Sequence, residues 1–267
     1  MLKYTHRNEE IGNMSFVLDL AVLFFIGASL GWCVELLFRR FVSLKKWINP
    51  GFLNGPYLPL YGFGLVLLYL LCKVNYSFIT NSNIWQIVLV LITCTFAMTL
   101  IEYIAGKAAL THFHIKLWDY SKMWGNVQGI ICPLFSVFWG IGAAGYYFLL
   151  SNKIYLFLEW FHNNLTFSFV AGMFYGVLIV DLIVSLNLSV KIKEFAKKNK
   201  VIIRYEELKV SIKNKNRSLK EHYNFIKPFQ SRHSTLKENM EHYLIELKEK
   251  VLSKPIKRHT KKKSIEE

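Results

Sequence analysis

Long apolar stretches alternate with short polar loops over the first 190 residues of the chain. Five stretches are long enough to cross a bilayer, since a spanning helix needs about 20 mainly apolar residues. The predicted spans are residues 16–38, 56–74, 84–105, 130–150 and 167–190. The second is the shortest and begins with two prolines, which suit a first helical turn but not a helix interior. The pattern predicts an all-α polytopic membrane helix bundle with about five transmembrane helices.

Charge changes this picture only at the carboxyl end. The chain is 53% hydrophobic and 16% aromatic, yet its formal net charge is +15. Residues 1–190 carry 11 Lys+Arg and 8 Asp+Glu, whereas residues 191–267 carry 22 and 10. We therefore predict a transmembrane domain over 1–190 and a basic cytoplasmic helical tail over 191–267. The last residues, about 254–267, are Lys-rich and polar, a composition typical of disorder.

The distribution of bases among the short loops predicts the orientation. The loop after the first span holds Arg39 and Arg40, and the loop after the third holds three lysines. By contrast, the loops after the second and fourth spans hold only Lys73 and Lys153. Because basic loops stay in the cytoplasm, the amino terminus is predicted outside and the carboxyl terminus in the cytoplasm.

An eleven-residue motif of the form G-x-x-[N/Q]-G-x-x-x-P-L-[Y/F] occurs at residues 51–61 and again at 125–135. Its backbone positions are Gly51, Gly55, Pro59, Gly125, Gly129 and Pro133. Each copy leads into an apolar span and follows a span with one glutamate near its end. We interpret this as a parallel two-helix internal repeat, with repeat one over about 16–74 and repeat two over about 84–150. The fifth helix, about 167–190, lies outside it.

Acidic side chains inside the predicted spans indicate the candidate site. A carboxylate at membrane depth is costly, so it must be paired, protonated or hydrated. We predict a cavity between the repeats, open to the cytoplasm and lined by Glu35, Glu102, Asp181, Asn54 and Gln128. For two of these acids a purely structural role remains open. Glu35 precedes Arg39 by four positions, so its alternative role is a local ion pair. For Asp181 the alternative is a hydrogen-bonded contact between helices.

Other polar and small residues carry weaker signals. The Gly27-x-x-x-Gly31 and Gly172-x-x-x-Gly176 patterns predict close helix crossings. The four cysteines lie inside spans without paired spacing, so we predict no disulfide and no zinc. His112-x-His114 is a metal-site alternative only if that segment is a strand. We predict no metal, no cofactor and no catalytic residues.

Several motifs agree in order with one known family. Residues 31–35 (GWCVE), 51–64, 100–103 (LIEY), 118–121 (WDYS) and 128–129 resemble the bacterial family named putative type IV ABC-transporter permeases. The resemblance covers most of residues 16–190 and excludes the tail. It implies an integral protein of the bacterial cytoplasmic membrane with a role in transport. It brings no binding or catalytic residues with it.

The expected function is a permease-like component of an ABC-type transport system. The chain contains no G-x-x-x-x-G-K-[ST] loop, so we expect ATP hydrolysis to need a separate ATPase subunit. Five spans are few for one transport unit, which favours a homodimer. The tail is expected to bind anionic lipid headgroups, and no nucleic acid is expected. The alternatives are a non-catalytic membrane scaffold or regulator that acts through the basic tail, and an intramembrane enzyme that acts on lipid headgroups.

Overall fold

The computed structural model describes residues 2–43, 45–218 and 235–252, with side chains for 15–43, 45–215 and 235–249. It confirms an all-α polytopic helix bundle. The helices are α1 (Leu2–Phe38), α2 (Pro59–Lys73), α3 (Asn83–Phe113), α4 (Pro133–Gly145), α5 (Ser151–Asn163), α6 (Ser168–Lys198), α7 (Tyr205–Ser218) and α8 (Leu236–Leu252). One π-helical turn continues α1 and another joins α4 to α5. Two short strands, β1 (Ile115–Lys116) and β2 (Ile203–Arg204), pair in parallel.

Four helical segments are long and apolar enough to cross a membrane: Ser15–Ser43, Asn83–Phe113, Pro133–Asn163 and Leu165–Lys198. The second predicted span is shorter than expected. Helix α2 has 15 residues, about 22 Å at 1.5 Å per residue, against a hydrocarbon core of about 30 Å. Proline explains the shift, because α2 begins at Pro59 and α4 begins at Pro133, each three residues after the predicted start.

Helices α1 to α4 pack as antiparallel neighbours. Gly27 of α1 lies against Leu65 of α2, and Gly31, one turn later, lies against Tyr61. Contact positions advance along α1 while they go back along α2, so the two helices are antiparallel. The same holds for α3 and α4, where Thr99 donates to Ser136 (3.1 Å) and Thr95 lies beside Gly140. This packing brings the carboxyl ends of α1 and α3 to the same end of the bundle.

The two glycine patterns differ in the structure. A Cβ on Gly31 would overlap the Tyr61 ring of α2, so the helices approach closely there. No described heavy atom lies within 4 Å of a Cβ built on Gly172 or Gly176. The α1 pattern therefore makes a close crossing within this chain, and the α6 pattern faces open space among the described residues.

We expect Gly31→Ala to lower the free energy of unfolding by about 1–3 kcal/mol, because overpacking forces α1 and Tyr61 apart. Gly176→Ala is the matched control, and it should be neutral or slightly stabilising because alanine favours helix. Thermal unfolding of both variants in mild detergent measures the difference. Equal melting temperatures for the two variants would contradict the close crossing.

The described residues divide into two compact units close to the predicted start of the tail. Helix α6 continues to Lys198, and the described residues up to Glu206 belong to one compact unit, whereas those from Glu207 belong to a second. In the second unit, Met240 and Tyr243 of α8 are buried. The predicted disordered end, 254–267, lies outside the described residues.

Candidate functional site

Glu35 and Glu102 lie at the same end of the bundle and are connected through two aromatic side chains. The Tyr61 hydroxyl donates to Glu35 Oε2 (2.9 Å), and Trp139 Nε1 donates to Glu102 Oε2 (2.9 Å). The rings of Tyr61 and Trp139 are 5.5 Å apart between centroids. Each glutamate is thus bound by an aromatic donor from the helix that packs against it. We call these residues, together with Tyr120, the glutamate network.

Glu102 is the more buried of the two acids, with 3% of its surface exposed. Its other oxygen, Oε1, accepts from the Tyr120 hydroxyl at 3.1 Å. Burial and then the Glu102 carboxylate raise the pKa of Tyr120 far above its ordinary value, so this phenol is a neutral donor. Among the described residues, both groups that hydrogen-bond to Glu102 are neutral. A buried carboxylate held in this way marks a functional site more often than a structural ion pair does.

Glu35 has a different environment because Arg39 lies beside it. Arg39 Nε donates to Glu35 Oε1 at 3.1 Å, in the i,i+4 arrangement that the spacing offered. The same guanidinium binds Glu206, which lies just after β2. The Arg39 side chain is only 8% exposed, so one buried cation bridges two acids.

Asp181 serves as the anchor of the first copy of the motif. Its carboxylate accepts from the backbone N–H groups of Asn54 (3.0 Å) and Gly55 (2.7 Å) and from the Tyr57 hydroxyl (2.7 Å). The Asn54 amide and the Ser185 hydroxyl also donate to it. Irregular backbone survives at membrane depth only when its polar groups are satisfied. One carboxylate of α6 satisfies two backbone N–H groups of this loop, and the Asn49 amide satisfies the carbonyls of Leu53 and Asn54, which explains how the chain tolerates the loop there.

The second copy of the motif satisfies its backbone locally. Gln128 and Gly129 both have positive φ, 56° and 70°, and the Gly129 N–H donates to Asn126 Oδ1 at 3.0 Å. A Cβ on Gly129 would lie 2.9 Å from Asp119 Oδ1, so glycine is needed for both φ and space. The exposed Gln128 side chain accepts from Lys107 at 2.8 Å. The two copies share a sequence pattern but bind different partners.

The five residues of the predicted cavity therefore fall into three groups of contacts in the described chain. Glu35 and Glu102 belong to the glutamate network, Asn54 binds Asp181, and Gln128 binds Lys107 at the surface. These contacts do not show one cavity lined by all five. Asp181 is already bound by the backbone of the first motif loop. The feature that the two hairpins share is therefore the pair of glutamates, Glu35 and Glu102.

The segment after α6 is built onto both loops at this end of the bundle. The Ile203 N–H donates to the His114 carbonyl (3.1 Å), which continues the β1–β2 pairing. Arg204 binds Asp119 at 3.1 Å, and the Tyr205 hydroxyl donates to the Phe52 carbonyl at 3.2 Å. Burial would raise the pKa of Asp119, but hydrogen bonds from Ser121 and Lys116 outweigh it and hold that pKa below its ordinary value. Asp119 is therefore ionised at neutral pH and available to Arg204.

Residues 118–121 form a packed turn. Trp118 Nε1 donates to the Ile130 carbonyl at 2.7 Å, and Tyr120 stacks on Phe135 with ring centroids 4.3 Å apart. His114 ends α3 in the left-handed conformation, so His112 and His114 do not share a strand. Within the described residues no cluster of three or more His, Cys, Asp or Glu could hold a metal ion. All four cysteines are free.

The family model described as Putative ABC-transporter type IV matches residues 22–186. The chain belongs to this family. The match begins within α1 and ends within α6, so it contains the glutamate network and the Asp181 anchor but excludes the tail. The comparison with curated proteins finds no match, and neither does the comparison with solved structures. Membership in this ABC-transporter family and the four apolar helices establish a membrane protein related to transport.

Two sets of polar contacts in this ABC-transporter family member were not found from sequence, one in the glutamate network and one away from it. The first is the set of aromatic donors, Tyr61, Trp139 and Tyr120, of which Tyr61 ends the repeated motif and could have been noticed there. The second is Asp19, an acid in the first span that pairs with His162 Nε2 at 2.8 Å. Its position in an apolar stretch was the available signal, since an acid there requires a partner.

Proposed function

We propose that this chain is the permease-like membrane component of an ABC-type transport system, and that the glutamate network is its working site. Membership in the family supports the transport role. The observation that carries the proposal further is that Glu102, buried within α3, is held only by neutral donors among the described residues. Keeping such a carboxylate costs stability, so function is the reason to retain it.

The proposal includes a separate ATPase subunit and a bacterial cytoplasmic membrane. The Lys/Arg distribution of the loops supports an outside amino terminus and a cytoplasmic carboxyl terminus. On this orientation the glutamate network, both motif loops and the start of the tail lie near the cytoplasmic surface, where an ATPase subunit would bind. Neither the family nor the geometry of the site identifies a substrate.

Purification of the tagged full chain from its native membrane in mild detergent tests the partnership. We expect a subunit with a phosphate-binding loop to co-purify in fixed proportion and the preparation to hydrolyse ATP. Purified chain that carries no such subunit, in a preparation where a known ABC transporter of the same cells keeps its own, would contradict the proposal.

In that complex we expect Glu102→Gln to lower ATP hydrolysis about tenfold, equivalent to about 1.4 kcal/mol in the barrier. The amide keeps one acceptor and similar volume but removes the charge that the network is built around. Glu159→Gln is the control, since Glu159 is an exposed acid on α5. Unchanged hydrolysis in Glu102→Gln, with normal expression, would remove the glutamate network from the mechanism.

A scaffold or regulatory role for the tail is the second candidate function. The contacts of residues 203–206 with the bundle favour it, because they fix the start of the tail in place. Because Arg204, Tyr205 and Glu206 bind the bundle, the tail can be removed cleanly only after Glu206. If deletion of residues 207–267 abolished function in cells while Glu102→Gln was silent, the regulatory reading would replace the transport one.

A further inference from the structure

A groove opens between α1, α5 and α6 at the end of the bundle opposite the glutamate network. Its volume is about 180 Å³, and all nine residues that line it are apolar, five of them aromatic. Val22, Ala171 and Phe161 form its buried floor. The groove is therefore narrow and open on one side, with room for a slender apolar chain and not for a bulky ligand.

A polar pair lies beside this apolar groove. Asp19 lies three residues before Val22 and seven before Ile26, so it shares their face of α1. His162, next to Phe161, places Nε2 at 2.8 Å from Asp19 Oδ1, although this oxygen makes no hydrogen bond among the described residues. Asp19 is 9% exposed. An apolar groove with a buried acid and an imidazole next to it matches an amphiphile, which joins an apolar chain to a polar group.

The surroundings of the groove indicate where its occupant comes from. The walls belong to helical segments that are candidate membrane spans, and only 11% of the α4–α5 and α6 windows is buried within the protein. Large apolar side chains beside the mouth, such as Phe167 and Val170, are exposed. In a bilayer these surfaces face hydrocarbon, and an unfilled groove among them would lose the dispersion contacts of its lining.

We propose that the groove holds one acyl chain of a membrane phospholipid, with the headgroup beyond the Asp19–His162 pair. This inference is independent of the proposed transport role, because it concerns the opposite end of the bundle. The bound lipid fills the junction of these three helices beside their floor residues. It therefore stabilises the position of α5 and α6 against α1.

Native mass spectrometry of the full chain tests this proposal after reconstitution with palmitoyl-oleoyl phosphatidylglycerol and transfer to mild detergent. The unmodified chain is expected to retain about one phospholipid. Ala171→Phe fills the groove and should lose it. Gly172→Phe is the matched control, since it adds the same ring at the adjacent position, where the structure has open space. It should retain the lipid.

Val170→Trp provides a second variant if Ala171→Phe fails to fold. Val170 lines the groove at its exposed mouth, where the larger tryptophan side chain can be accommodated. Addition of phospholipid to the delipidated chain should raise its melting temperature, and the rise should be absent in the groove-filling variant. Equal retention in Ala171→Phe and Gly172→Phe would overturn the proposal. Retention of a free fatty acid in place of phospholipid would overturn it as well.

Discussion

Replacement of Arg39 by methionine is expected to lower the free energy of unfolding by about 3–5 kcal/mol. The guanidinium is 8% exposed and binds both Glu35 and Glu206. Methionine has similar length but no charge, so the partly buried Glu35 and Glu206 would lose the guanidinium that bridges them. Chemical unfolding in mild detergent, followed by tryptophan fluorescence, measures the loss.

Arg40→Met is the control for this substitution. Arg40 is the next residue, and its guanidinium contacts the Lys45 carbonyl and the rings of Phe41 and Trp47 at the surface. Exposed contacts of this kind contribute about 1 kcal/mol or less. A triple variant in which Arg39, Glu35 and Glu206 all become methionine should recover much of the loss, because it removes the buried cation and both acids of the bridge together. If Arg39→Met and Arg40→Met were equally stable, the buried bridge would be wrong.

Hydrophobic length and proline position made most of the helix pattern predictable. A spanning helix must be apolar over about 20 residues, so α1, α3 and α6 were visible in the sequence. Pro59 and Pro133 mark helix starts because proline fits the first turn and breaks later ones. The positions at which helices end were harder to predict. Helix α4 continues through a π-helical turn into α5, and no residue pattern after Leu150 distinguishes a loop from this continuation.

The candidate site was predictable only where its partners are close in sequence. The Glu35–Arg39 pair follows from i,i+4 spacing. By contrast, Asp181 and Asn54 are 127 residues apart, and their contact depends on how α6 packs against the first loop. Arg39–Glu206 depends in the same way on the short β1–β2 pairing. The sequence marked these acids as costly, but it contained no information about which donors would satisfy them.

The Asp181 contacts show that the first loop and α6 are one structural unit. Two backbone N–H groups, one amide, one phenol and one serine hydroxyl donate to a single carboxylate. Hydrogen bonds to a charged acceptor contribute about 1.5–3 kcal/mol each, roughly twice the value for neutral pairs. The loop that leads into α2, and through Tyr61 to the glutamate network, therefore depends on an ionised Asp181.

We expect Asp181→Asn to lower the free energy of unfolding by about 2–4 kcal/mol, because the amide offers one neutral acceptor and turns an N–H₂ group toward the loop donors. Hydrogen exchange at the Asn54 and Gly55 amides should accelerate about thirtyfold or more, since each 1.4 kcal/mol is a factor of ten. Glu194→Gln, on the exposed face of the same helix, removes the same charge and should change neither quantity. Unaltered exchange at both amides in Asp181→Asn would show that the carboxylate does not hold the loop, and any loss of transport in that variant would then reflect a direct role for Asp181 in the site.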